Sequence, residues 1–224
     1  MHWKICKIVA TFALVMATPS FAEKPIVSNV SAYSDGAPVV SQRYFIEPEK
    51  GQVQANSFEF SEYAGHVERA LSTKGMIRVP DENDADVFVL VGYGISQPNI
   101  SSGIYSTPHY VQAGISNPSA TGQVTRYGVV TGYDVNTYDI TTYDRYLRIA
   151  ALDAAAARAN LPIKERWHVD VKSEGTYDDL RQIVPAMAYS ASAYIGVDTG
   201  KAVAVRVKSK SKDYISFLQR PIHP

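Results

Sequence analysis

The side chains that most often move protons or hold metals are few in this sequence and rarely grouped. There are five histidines. His2 lies in the N-terminal leader described below, His109 in a Gly/Tyr/Pro-rich stretch, and His223 at the C-terminus. His66 stands beside Val67 and has no partner at a metal-ligand spacing. His168 is the best placed for chemistry, because Arg166 and Asp170 flank it at alternate positions. A carboxylate beside an imidazole is how a general base is oriented. His168, Asp170 and Asp153 are therefore the residues from which a small hydrolase or transferase site would be assembled. Alternate charged residues on a strand are also what a plain solvent face looks like, and that reading is preferred here. No HExxH or comparable ligand spacing occurs, so neither a metal nor another cofactor is expected.

Nucleophile signatures are missing as well. No GxSxG stands in the sequence, and the single cysteine, Cys6, sits in the leader. Gly92-Tyr93-Gly94-Ile95-Ser96 looks like a glycine-rich turn after a strand, yet a phosphate-cradling loop needs a helix start next, and a proline-containing stretch follows instead. The carboxylate pairs Asp84/Asp86 and Asp178/Asp179 precede a strand and a helix, where structural roles account for them.

One compositional excess remains. From Gly92 to Thr142, tyrosines alternate with Gly, Ser and Thr, punctuated by Pro98, Pro108 and Pro118. This reads as one long hairpin or strand pair with a mobile tip near 96–121. Tyrosine presents apolar area with a hydrogen-bonding end at low entropic cost, which suits a binding surface. Tyr105, Tyr110, Tyr127 and Tyr133 are the candidate binding residues. The alternative is ordinary sheet packing, because strands favour tyrosine anyway.

Composition bounds what these residues can belong to. The chain has 224 residues, 46% hydrophobic and 20% charged, which suits one globular domain rather than a disordered chain. It has 22 basic and 22 acidic residues, against the basic excess of a nucleic-acid binder. Lys4 and Lys7, an uncharged run from Ile8 to Met16, Pro19, and Ser20-Phe21-Ala22 have the order of a secretory signal peptide cut after Ala22. The run is too short for a membrane span. Cys6 precedes it, so the cysteine of a lipoprotein leader is not in place and no lipid anchor is expected. The implied address is the periplasm or the exterior. Without residues 1–22 the chain carries 20 basic against 22 acidic residues and no cysteine.

The positioning elements follow from periodicity. After a flexible segment over 23–41, Arg43 to Ile46 forms a strand, and Asn56 with Glu59 has capping-box spacing before a helix over 57–74. Phe60, Ala64, Val67 and Leu71 make its apolar stripe, and Gly75 its left-handed cap. Asp86 to Val91 is apolar on both sides, as in a central strand or a barrel interior. Tyr146 to Ala154 alternates, and so does Ile163 to Lys172, with Asn160-Leu161-Pro162 as a turn between them. Residues 154–159 are alanine-rich enough for a helix, although a hairpin suits their place better. Thr176 and Asp179 begin a second helix through Leu180, Val184, Met187, Ala191 and Tyr194, kinked at Pro185. Ala202 to Val207 is the last strand. The expected fold is α+β, an antiparallel-rich mixed sheet with two helices on one face and a long Tyr/Gly-rich hairpin. It fills one domain over 42–207, followed by a tail over 208–224 that docks on the body or on a partner.

Several of these segments resemble a known family. Tyr143-Asp144-Arg145-Tyr146-Leu147-Arg148-Ile149-Ala150-Ala151-Leu152-Asp153-Ala154, Trp167, Ser173-Glu174-Gly175, Val184-Pro185-Ala186-Met187 and Tyr194-Ile195-Gly196-Val197-Asp198-Thr199-Gly200 are similar to stretches of the bacterial domain of unknown function 4136 family. The resemblance covers roughly 40–207. It implies an exported envelope protein, frequently a lipoprotein in that family, with no assigned activity and no catalytic residues to carry over. The expected role is a non-enzymatic binding or assembly accessory whose partner is an envelope protein, a second copy, or a glycan.

Overall fold

The computed structural model describes residues 24–52, 54–115 and 126–222. The expected leader, and with it the cleavage site, lies outside the described residues. In chain order the elements are β1 (Ile26–Ser34), β2 (Arg43–Pro48), α1 (Phe58–Ser72), β3 (Ile77–Arg78), a 3-10 turn (Glu82–Asp84), β4 (Val87–Ile95), β5 (Asn99–Ile115), β6 (Arg126–Asp153), α2 (Ala154–Arg158), β7 (Glu165–Gly175), α3 (Leu180–Ser192), β8 (Val203–Val207) and α4 (Lys212–Leu218). One eight-stranded sheet runs β3-β2-β4-β6-β7-β1-β8, with β5 paired to β6. Only β2 runs parallel to its neighbours, β3 and β4, so the sheet is mixed and mostly antiparallel. It is open, so β4 is a central strand and not part of a barrel.

Alternation decides which face each strand buries. Val87, Val89 and Val91 of β4, Leu147, Ile149 and Ala151 of β6, and Trp167, Val169 and Val171 of β7 are all buried. They share one core with Val30 and Ala32 of β1, with Phe60, Ala64, Val67 and Leu71 of α1, and with Val184, Met187 and Ala191 of α3. Each large apolar side chain taken fully out of water here contributes about 1.5–3 kcal/mol. The opposite face carries a much smaller cluster, in which Phe45 and Phe88 pack with Val79, Ala85 and Ala154.

Ser57, not Asn56, caps α1, its hydroxyl accepting from the Phe60 amide at 3.1 Å. Gly75, at φ +72°, turns the chain after that helix. Asp179 caps α3, which continues through Pro185 to Ser192.

Four expectations need correction. The segment over 23–41 is not irregular: Ile26–Ser34 is β1, hydrogen-bonded to β7 on one side and β8 on the other. Its polar residues Ser28, Asn29 and Ser31 dilute the apolar signal, but two neighbouring strands satisfy its backbone. Residues 154–159 turn helical because the Asp153 carboxylate accepts from the Ala156 amide at 2.9 Å. Asn160, at φ +53°, then ends that turn as Asn readily does. The expected tip at 96–121 is strand from Asn99 to Ile115, while 116–121 lies outside the described residues. The C-terminal tail holds α4, whose Tyr214 and Phe217 pack edge-on against Tyr189 at 5.4 and 5.3 Å.

A Val30→Ala variant tests the placement of β1, because Val30 is completely buried. Urea denaturation should show a loss of about 1–3 kcal/mol. A flexible N-terminal segment would show no change.

Candidate functional site

The face of the sheet away from α1 and α3 carries the charged side chains, and β6 and β7 bring them together. Their register sets Arg148 opposite Asp170 and Ala150 opposite His168. Arg148 Nη1 donates to Asp170 Oδ1 at 3.2 Å, and Arg148 Nη2 donates to Glu165 Oε2 at 3.3 Å. The third carboxylate around this guanidinium is Glu49, 3.8 Å from Nε. His168 lies between two of the same carboxylates, with Nδ1 against Glu165 and Nε2 3.6 Å from Asp170 Oδ2. Its ring packs on Tyr33 at a centroid distance of 4.8 Å.

The expected trio is therefore only partly assembled. His168 and Asp170 meet, whereas Asp153 is occupied elsewhere. One of its oxygens caps α2 and the other accepts from Arg166 Nη1 at 3.3 Å. The backbone amide of Ala156, and then Arg166, hold the Asp153 carboxyl below its usual range. Arg166 also donates to Asp35 at 2.7 Å, closing a second charge cluster. The Ala37 amide and Arg166 keep the Asp35 carboxyl low despite some burial. An imidazole between carboxylates can relay a proton, but both clusters are cross-strand ion networks on a half-open sheet face. Exposed pairs of this kind contribute up to about 1 kcal/mol each. Reading single residues missed Glu165, Arg148 and Glu49. Arg148 stands at an outward polar position of β6, but Glu165 shares the parity of Trp167 and joins this face only through the register shift between Ala151 and Leu152.

The glycines of 92–96 have a packing role. Gly92 and Gly94 lie within β4, and a Cβ there would overlap the Glu49 side chain and the Tyr146 ring respectively. Among the described residues no three His, Cys, Asp or Glu side chains are grouped to hold a metal ion, and no helix is long and apolar enough to cross a membrane.

The tyrosines divide sharply. Tyr93 is core, packed edge-on against Tyr63 at 4.6 Å. Tyr105, Tyr110 and Tyr133 are exposed on the two-stranded arm where β5 pairs with the first half of β6. Tyr127 lies in the same strand, its side chain outside the described residues. The register places Ile100, Ile104, Tyr133 and Val135 on one face of the arm and Tyr105, Tyr138 and Ile140 on the other. Ile104 is 70% exposed, Val135 68% and Tyr110 67%, so apolar side chains meet solvent on both faces. His109 and Asp134 pair across the arm at 2.6 Å.

No family model matches the chain, and no curated protein matches its sequence. Solved structures with limited likeness include a PDZ domain protein from Parabacteroides distasonis, 11% identical with a TM-score of 0.43 over 81% of this chain and 38% of that one. A PelC dodecamer from Paraburkholderia phytofirmans is 8% identical, with a TM-score of 0.35 over 74% of this chain and 95% of that one. A DUF4136 family protein from Bacteroides thetaiotaomicron is 14% identical, with a TM-score of 0.37 over 77% of this chain and 98% of that one. The chain thus spans well under half the length of the first and nearly all of the other two.

His66, half-buried on α1 with Nδ1 3.0 Å from Arg69 Nη1, gives the helical layer, on the other side of the sheet from the charged clusters, a measurable pH response. Burial, then the Arg69 charge, push its imidazole down to about 4 from 6.5. The unfolded chain therefore binds the proton first, and stability falls as pH drops from about 6.5 to about 4. The expected loss is on the order of 2 kcal/mol after solvent screening. Denaturation midpoints of His66→Gln should lack that part of the slope, and equal slopes would refute the assignment.

Proposed function

We propose that this protein is an exported, non-enzymatic accessory of the cell envelope, released into the periplasm by cleavage after Ala22, and that its two-stranded arm binds an envelope protein or a second copy of itself. The observation that carries this reading is the arm's surface. Between Asn99 and Thr142 the charged residues are Arg126, Asp134 and Asp139, with His109, and β5 itself contains no Lys, Arg, Asp or Glu. Those charges are what usually keeps a free edge from pairing with another chain; Pro108 is the one blocking residue on β5.

A two-stranded ribbon is marginal in water without a partner for its apolar faces, and exposed apolar patches of this kind mark interaction sites. Strand addition to the β5 edge, with the tyrosines and isoleucines filling pockets on alternate sides, is the binding mode such a ribbon supports. The resemblance of 143–200 to the domain of unknown function 4136 family agrees with an envelope address. A glycan, stacked on the exposed tyrosines, is the weaker alternative for the same surface.

Two measurements test this. The exported chain should begin at Glu23 when its N-terminus is sequenced from a periplasmic extract. Against wild type, Tyr105→Ser/Tyr110→Ser/Tyr133→Ser should unfold within about 0.5 kcal/mol per site, because these side chains are exposed. The same variant should lose the protein captured by crosslinking in the intact envelope, or the self-association seen by sedimentation. An unchanged partner and an unchanged oligomeric state would reject the arm as an interface.

A further inference from the structure

Strand β6 breaks its own pattern at one position. Leu147, Ile149 and Ala151 point into the helix-covered core, and the alternation carries Arg145 to the same side. Arg145 is 3% exposed. Register aligns it with Ser173 of β7, and Ser173 with Ser28 of β1. These three are buried polar residues in one cross-strand row at the end of the core. The Ser28 hydroxyl in that row is buried and has no hydrogen-bond partner.

Arg43, Arg78, Arg148, Arg166 and Arg181 all sit against carboxylates. Arg145 differs. Its partners are neutral: Nε donates to the Ser173 carbonyl at 3.4 Å, Nη1 to the Tyr177 carbonyl at 3.2 Å and Nη2 to Ser173 Oγ at 3.3 Å. Among the described residues no carboxylate forms an ion pair with it, although Asp144 and Glu174 act on it from farther away. Burial pushes its guanidinium below the usual arginine range, the mark of a charge whose lost water is not fully replaced.

The guanidinium borders a cavity of about 270 Å³ between the start of β1, the end of β7 and the start of α3. Ile26, Val27 and Ile183 form its apolar wall, with Lys24, Thr176 and Glu174 at its polar side. Gly175 opens the approach, because a Cβ there would stand 2.8 Å from Arg145 Nη2.

We propose that Arg145 anchors a binding site for a monocarboxylate carrying a short aliphatic body. A guanidinium has five N–H donors, and the three hydrogen bonds above leave one on each terminal nitrogen. With the Tyr177 and Ser173 bonds taken by the lateral hydrogens of Nη1 and Nη2, the two end-on N–H groups form the parallel fork that matches the two oxygens of one carboxylate. The apolar wall receives a short hydrocarbon body. Glu174 in the lining and Asp144 beside the arginine oppose a second negative charge, which disfavours phosphates and dicarboxylates. The carboxylate can belong to a free short-chain acid or to the C-terminus of a peptide ending in a small aliphatic residue. This site is independent of the arm.

Amide and arginine-side-chain NMR of the isotope-labelled protein tests it, with butyrate, N-acetyl-Ala-Val free acid, and the amides of both as probes. The acids should shift the Gly175 and Tyr177 amides and the Arg145 Nε–H signal saturably, with millimolar dissociation constants. The amides should not. A response to butyrate identifies a free acid as sufficient, and a response to the peptide acid alone identifies a chain terminus. Arg145→Lys keeps the charge without the fork and should bind about tenfold more weakly. Gly175→Ala, which keeps the arginine but pushes Nη2 aside, should weaken binding by breaking the fork's alignment. No saturable shift in the folded wild-type protein with either acid would overturn the proposal and leave Arg145 as a clamp on the β7–α3 connection. Equal shifts by acids and amides would overturn it too.

Discussion

The rest of the molecule depends on how β6 is hydrogen-bonded. From Arg145 to Leu152 this strand is paired on both edges, to β4 on one side and β7 on the other. From Arg126 to Thr142 it is paired on one edge only, to β5. A single 28-residue strand therefore passes from the best-buried part of the domain into its most exposed part. The inner half cannot shift register by one residue without turning Leu147 and Ile149 to solvent and Arg148 into the core. That constraint fixes the direction in which the arm leaves the sheet and the level at which it starts.

The same alternation separates two kinds of chemistry. One face of the inner half is apolar and covered by helices, so a polar group there has to find partners inside the protein. Arg145, Ser173 and Ser28 lie at the edge of that cover, where the strands end and the chain turns toward α3. The other face is half open, and its charges pair laterally across strands. Arg148 there is shared by three carboxylates, and His168 by two of them. Such a network aligns β6, β7 and the segment after β2. It leaves Asp153 to cap a helix rather than to join the histidine.

Parts of the architecture were legible because they are local. The stripe Phe60, Ala64, Val67 and Leu71 specifies α1 by itself, as Val184, Met187 and Ala191 specify α3. Trp167, Val169 and Val171 mark β7 with the same clarity, although the alternation stops at Trp167: Glu165 lies beyond a register shift and is exposed, and so is Ile163 before the strand begins. Strand β1 was hidden because its inward residues include Ser28, which a periodicity reading counts as polar. Helix α4 was hidden because seven residues make a helix only when Tyr214 and Phe217 find Tyr189.

The amino-acid sequence by itself determined the repeat of the strongly patterned elements, the sparseness of charge on the arm, and the absence of a recognised catalytic or metal-ligand motif. Those properties are local, written in residue type and spacing. Only the tertiary structure decided which polar groups face one another. Glu165 and Arg148 meet because the pairing of β6 and β7 shifts register between Ala151 and Leu152, which brings Glu165 to the charged face. Tyr93 enters the core while Tyr105 remains outside, although both stand in the same tyrosine-rich stretch. Arg145 is buried because an inward position of β6 coincides with the end of β7 and the approach to α3. Strand register is a long-range property, fixed by the summed burial of many side chains, and no short window of sequence contains it.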